Sequence, residues 1–142
     1  MSIRLIAYVL LALGALVVVL TRVRLRRENA AGIRPVPTLL LNAHTLFGVL
    51  GLGAWLAYVL TDEDSKIGVD RELLGIGALS ALWVVSICGL LILMRWLPSR
   101  GRHASDANED SWSEGPGLSV LAHVGMFLAI CFDTVVYMLD QL

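Results

Sequence analysis

Hydrophobic residues do not alternate with polar ones along this chain. They come in four long blocks, separated by shorter segments that hold nearly all of the charge. A bilayer core about 30 Å thick is crossed by roughly 20 apolar residues of helix. By that measure the pattern predicts transmembrane helices over 3–21, 38–60, 73–97 and 118–139. The connections, 22–37, 61–72 and 98–117, are too short to hold a soluble domain, so residues 1–142 read as a single membrane domain, an all-α bundle of four helices. The first block could be taken for a secretory signal. It ends, however, in Thr21-Arg22-Val23-Arg24-Leu25-Arg26-Arg27 with no small-x-small cleavage site, and is read as a retained helix.

Composition agrees with the pattern: 57 % of the residues are hydrophobic and the mean hydropathy is +0.76. The formal net charge of −1 says little, because the distribution of charge carries the information. Arg22, Arg24, Arg26, Arg27, Arg34, Arg95, Arg100 and Arg102 cluster at one end of the predicted bundle. Arg4, Lys66 and Arg71 lie at the other, among Asp62, Glu63, Asp64, Asp70 and Glu72. Because Lys and Arg concentrate on the cytoplasmic side, both termini are expected on the extracytoplasmic side of the cytoplasmic (inner) membrane, in a multi-pass topology. Tyr8, Tyr58 and Tyr137 fall near the outer ends of their helices, where interfacial tyrosines are expected, and Trp96 marks the inner end of the third.

The third connection, rich in Ser, Asp, Glu and Gly, reads as a mobile cytoplasmic loop in which His103 is solvated. The basic run 22–27 reads as the positive-inside signal. No Walker loop, dinucleotide fingerprint, HExxH or serine elbow is present. Nothing points to nucleic acid or to a soluble small-molecule substrate, and the expected surroundings are the lipid bilayer and other membrane subunits. Cys88 and Cys131 lie in apolar runs at different depths and do not read as a disulfide. Gly75 and Gly77 read as sites of close helix approach.

Candidate chemistry is confined to two histidines. His44 and His123 each stand seven residues after a proline, Pro37 and Pro116, that opens an apolar block. Seven residues at 1.5 Å rise place each imidazole about 10 Å into its helix. In the predicted topology the second and fourth helices run parallel, so the two imidazoles share one level. Ionisable side chains in hydrocarbon are rare and mark function or specific packing. Matched depth on two helices suits a planar cofactor clamped between axial imidazoles, of which a b-type haem is the commonest example in a membrane bundle. Gly48 and Gly51 on the His44 stripe would leave room for a macrocycle, Phe127 would help wall it, and Arg95, with Arg34 and Arg100 as alternatives, would pair with its propionates. The competing expectation is interhelical hydrogen bonding by the two histidines, with the small residues serving only packing. Asp133, ten residues beyond His123, is expected to reach interfacial water or to bond Thr134 or Ser80. The residues between His123 and Asp133 are apolar, so a transport track is missing.

The segments AHTLFGVLGLGAWLAYVLT, LLILMRWLPSRG and LAHVGMFLA resemble those of a group of small four-helix integral membrane proteins of actinobacteria. In that group a glycine usually follows the last histidine directly, whereas here Val124 intervenes. The resemblance covers most of the chain and implies the fold and topology, with no activity to transfer. The histidine pair also has an architectural likeness to small membrane b-type cytochromes. The expectation is therefore an electron carrier or haem-handling protein rather than an enzyme, with haem b held by His44 and His123 within a respiratory-type complex. The alternative is a cofactor-free accessory subunit.

Overall fold

The computed structural model describes residues 2–30, 36–61, 70–94 and 116–142. Four helices make up the described chain: α1 (Ile3–Ala30), α2 (Thr38–Leu60), α3 (Arg71–Leu93) and α4 (Pro116–Met138). Each is long and apolar enough to cross a membrane. α1 runs nine residues past the predicted end at residue 21. Beyond its apolar block Leu25 is still buried and packs with Val36, Leu41 and Ile92 at the arginine-rich end of the bundle. The third connection, up to residue 115, lies outside the described residues, as do Arg34, Arg95, Trp96, Arg100 and His103.

The helices form a ring in chain order, with α1 against α2, α2 against α3, α3 against α4 and α4 closing on α1. Neighbours run antiparallel. Arg22 of α1 donates to Asn42 Oδ1 at 2.7 Å, Gly89 of α3 meets both histidine rings, and Gly75 meets the Tyr137 ring. α2 and α4 are consequently parallel and sit diagonally across the ring.

Transmembrane helices associate through van der Waals contact, because lipid is as apolar as leucine and burying a leucine against another helix gains little. Close backbone approach is therefore the main source of cohesion, and α3 achieves it at three glycines. A Cβ at Gly51 of α2 would sit 3.1 Å from the Leu82 backbone nitrogen of α3, and one at Gly75 would enter the Tyr137 ring. The third contact, at Gly89, is made with the two histidines. Gly77, expected to act together with Gly75, has nothing within 4 Å of its Cβ position.

At the end that carries the termini, Asp70 caps α3 by accepting from the Glu72 amide at 2.9 Å. Arg71 then ties three helix ends together. It donates to the carbonyls of Thr61 at 2.9 Å and Leu142 at 2.8 Å, and its guanidinium lies 4.2 Å from the centre of the Tyr58 ring. Tyr58 stacks on Trp55 at 4.9 Å and meets Tyr137 at 5.4 Å. Tyr58 is thus a core residue, 1 % exposed, where an interfacial position was expected. The buried residues His44, Gly48, Gly51, Trp55 and Tyr58 recur every three or four positions along α2, and that stripe carries Tyr58 inward.

The glycine contacts lead to a paired test. Gly75→Leu drives a side chain into Tyr137 and Tyr58 and is expected to lower stability by about 1–3 kcal/mol. Gly77→Leu, whose side chain would enter open space, is expected to leave the thermal unfolding midpoint in detergent unchanged.

Candidate functional site

α2 and α4 meet across the bundle at their histidines. His44 is 2 % and His123 8 % exposed, and their ring centroids lie 6.1 Å apart with the planes inclined at 46°. The matched spacing from Pro37 and Pro116 brings the two rings to one level, as their parallel helices require.

His123 Nδ1 lies 2.8 Å from the Ser119 carbonyl oxygen, one turn back on its own helix. A carbonyl only accepts, so Nδ1 carries the hydrogen and Nε2 holds a lone pair. This is the arrangement found in metal-ligating histidines, whose second nitrogen donates to a carbonyl or carboxylate and so fixes the ring. His44 Nδ1 has no hydrogen-bond partner.

Gly89 of α3 lies against the pair. A Cβ there would stand 2.6 Å from His123 Cδ2, 3.4 Å from His123 Nε2 and 3.6 Å from His44 Nε2. Any side chain at residue 89 would displace a ring. The same closeness bears on a haem. Two imidazoles on opposite sides of one metal ion, with bonds of about 2.0–2.1 Å, have centroids roughly 6 Å apart, so their spacing suits a shared ion. A porphyrin around that ion, however, would occupy the flank where the Gly89 main chain runs. A haem held by both rings therefore needs α3 to draw back from Gly89.

Beside the pair lies a small pocket of about 40 Å³ lined by all four helices, including Gly14 and Val18 of α1, Gly48 of α2, Ser86 of α3 and Met126 of α4. It runs from the histidines to the level of Leu52 and Ile130. Ser86 Oγ has no hydrogen-bond partner, so the cavity holds one unsatisfied hydroxyl besides the two imidazoles, among apolar residues.

Of the other residues named from the sequence, Gly48 lines this cavity but faces Val18, whose Cγ2 would be 2.7 Å from a Cβ at that position. Gly51 packs on Leu82. Phe127 meets the edge of Trp83 at 5.7 Å, on the seam between α3 and α4, and is not among the cavity residues. Arg95 lies outside the described residues. Gly89, Met126 and Ser86 were missed from the sequence. Met126 carried a readable signal, standing three residues from His123 and hence on the same side of α4.

Asp133 is the second buried polar level. It is 5 % exposed, where contact with interfacial water was expected. The two neighbours expected to bond it are engaged elsewhere. Thr134 donates to the Ile130 carbonyl and receives Trp83 Nε1, and Ser80 donates to the Ile76 carbonyl. Trp55 interacts with the carboxyl, yet neither Asp133 Oδ1 nor Trp55 Nε1 completes a hydrogen bond. On α4 the steps 123, 126, 130 and 133 follow helical spacing, which puts Asp133 on the buried face with His123 and Ile130. Cys88 and Cys131 are both free thiols.

Among the described residues, no group of three or more His, Cys, Asp or Glu side chains is placed to hold a metal ion. The chain matches no protein-family model, no curated protein and no solved structure. What the fold defines is a multi-pass membrane protein, a ring of four apolar helices with an imidazole pair at its centre.

An unsatisfied buried polar atom costs about 1–3 kcal/mol. Asp133→Leu is accordingly expected to raise the unfolding midpoint in detergent. A fall of similar size would show that the carboxyl has a bonded partner.

Proposed function

We propose that the function of this protein resides in His44 and His123 acting together as ligands of one redox metal centre, in electron transfer or haem handling. The observation that carries this reading is the 6.1 Å centroid spacing of two buried imidazoles, one of them with its Nε2 lone pair set by a backbone carbonyl. In the haem form of the proposal, His44 and His123 would hold one b-type haem, and arginines at that end of the bundle would pair with its propionates. Such a group supplies one-electron redox chemistry when bound. The chain's own part is to hold the two imidazoles at one level, in register, and to exclude water with the apolar residues above them.

The protein sits in the cytoplasmic membrane with both termini outside, in keeping with the arginines on the opposite end, and works as one subunit of a larger respiratory-type assembly. The apolar outer faces of the helices, Leu13, Leu16, Val49, Ile87 and Leu128 among them, suit contact with lipid and with neighbouring subunits alike. The cofactor-free alternative, an accessory subunit in which the pair serves packing, is favoured by one observation. Gly89 fits against both rings as a close-packed contact.

Purified in mild detergent from haem-replete cells, the protein is expected to show sharp α and Soret bands in a reduced-minus-oxidised spectrum, lost in both His44→Ala and His123→Ala. A colourless preparation that also holds no metal sinks the ligand reading and leaves the accessory one. The topology has its own check. A reporter active only in the periplasm should work when fused after Leu142 and fail when inserted at Arg100, and the reverse pattern inverts the proposed orientation.

A further inference from the structure

We infer that the pocket beside the histidine pair is a binding site for water, in which one water bridges Ser86 Oγ of α3 and His44 Nδ1 of α2 and so makes Ser86 the residue that positions the His44 ring. This goes beyond the reading of the imidazoles as ligands and holds whether or not a metal is bound. Three observations lead there.

The first is the Ser86 hydroxyl. Inside a helix a Ser or Thr hydroxyl can donate to the carbonyl one turn back, and Thr45, Ser80 and Thr134 do so at 2.9, 2.8 and 2.7 Å. Ser86 Oγ is buried without such a bond, and Ser86 lines the pocket. Its hydroxyl is therefore left to the pocket rather than to its own helix.

The second is the imidazole across from it. His44 is 2 % exposed and lines the same pocket. Its Nε2 lies 3.6 Å from the Cβ position of Gly89, a residue that does not line the pocket. Nδ1 is the other ring nitrogen, and it has no partner in the protein. A buried hydroxyl and a buried imidazole nitrogen on one pocket are what a single water can satisfy together, since it both donates and accepts.

The third is space. A water needs roughly 10–15 Å³, so the pocket of about 40 Å³ has room for about two or three. Val17, Val18, Leu52 and Val85 wall it and keep the held water apart from bulk solvent. The consequence falls on the pair. The Ser119 carbonyl fixes the His123 ring through its Nδ1, and the water gives His44 the equivalent hold on its own Nδ1.

The test uses the full chain in detergent, carrying isotope-labelled histidine for nuclear magnetic resonance. The His44 Nδ1 resonance, identified by its loss in His44→Gln, is expected to shift in Ser86→Ala and in Ser86→Val and to return toward its wild-type position in Ser86→Thr. The His123 Nδ1 resonance should stay in place in all three. A crystal structure of the wild type is expected to show density for a water within about 2.7–3.2 Å of both Ser86 Oγ and His44 Nδ1, lost in Ser86→Val, whose methyl groups fill the space. A wild-type pocket that holds no water, or holds lipid or detergent carbon instead, overturns the inference, and so does a His44 resonance that Ser86→Ala leaves unmoved. A bridging water in protein that carries neither haem nor metal upholds it while removing the ligand reading, and haem held by both histidines without that water does the reverse.

Discussion

The bundle depends on how closely the α3 backbone can approach its neighbours. In hydrocarbon the helices have no water to escape from, so van der Waals contact at short range supplies most of what holds them together. Gly51, Gly75 and Gly89 allow that contact at three levels along α3. Each does something different with it. Gly51 admits Leu82, Gly75 admits the Tyr137 ring, and Gly89 seats α3 against the histidine pair. The last of these couples cohesion to the site. The helix that tightens the bundle is also the one that sets how much room the two imidazoles have between and beside them.

Polar groups in the interior are arranged in layers. The imidazole pair lies toward the arginine-rich end, the cavity with Ser86 follows it, and Asp133 with Trp55 comes one turn beyond Leu52 and Ile130. The layer nearest the termini is the best satisfied. There Arg71 gives its donors to the carbonyls of Thr61, which caps α2, and of Leu142, and its flat face to Tyr58. Hydrogen bonds to a charged donor are among the stronger ones available, and this layer closes the bundle at that end. The inner layers hold unsatisfied groups instead, at His44 Nδ1, Ser86 Oγ and Asp133 Oδ1. Groups of that kind destabilise an apolar interior unless something else engages them, and this is the physical reason for placing function in the histidine layer.

The four helices, their lengths and the matched level of the two histidines were legible in the sequence. Each follows from composition and from the fixed rise of a helix, and both act along one dimension. The buried stripe of α2 was equally legible, since His44, Gly48, Gly51, Trp55 and Tyr58 keep helical spacing. That stripe implied a buried Tyr58, yet its position near a helix end suggested an interfacial one. The face that α4 buries was read a step off, toward Phe127, because apolar residues surround that helix almost completely. Without a polar side to break the symmetry, periodicity cannot say which apolar face turns inward.

By itself, then, the sequence determined what a membrane imposes on every chain: how many times it crosses, where each crossing begins, and which ionisable groups are left at depth. Only the tertiary structure decided that α2 and α4 are diagonal partners, that their imidazoles stand 6.1 Å apart, and that the backbone of a third helix at Gly89 closes their flank. The difference is physical. Depth is set by the rise of a helix against the thickness of a bilayer, a property of each segment alone. Rotation and neighbourhood are set by contacts between segments, and a glycine such as Gly89 carries no side chain by which its partner could be read in advance.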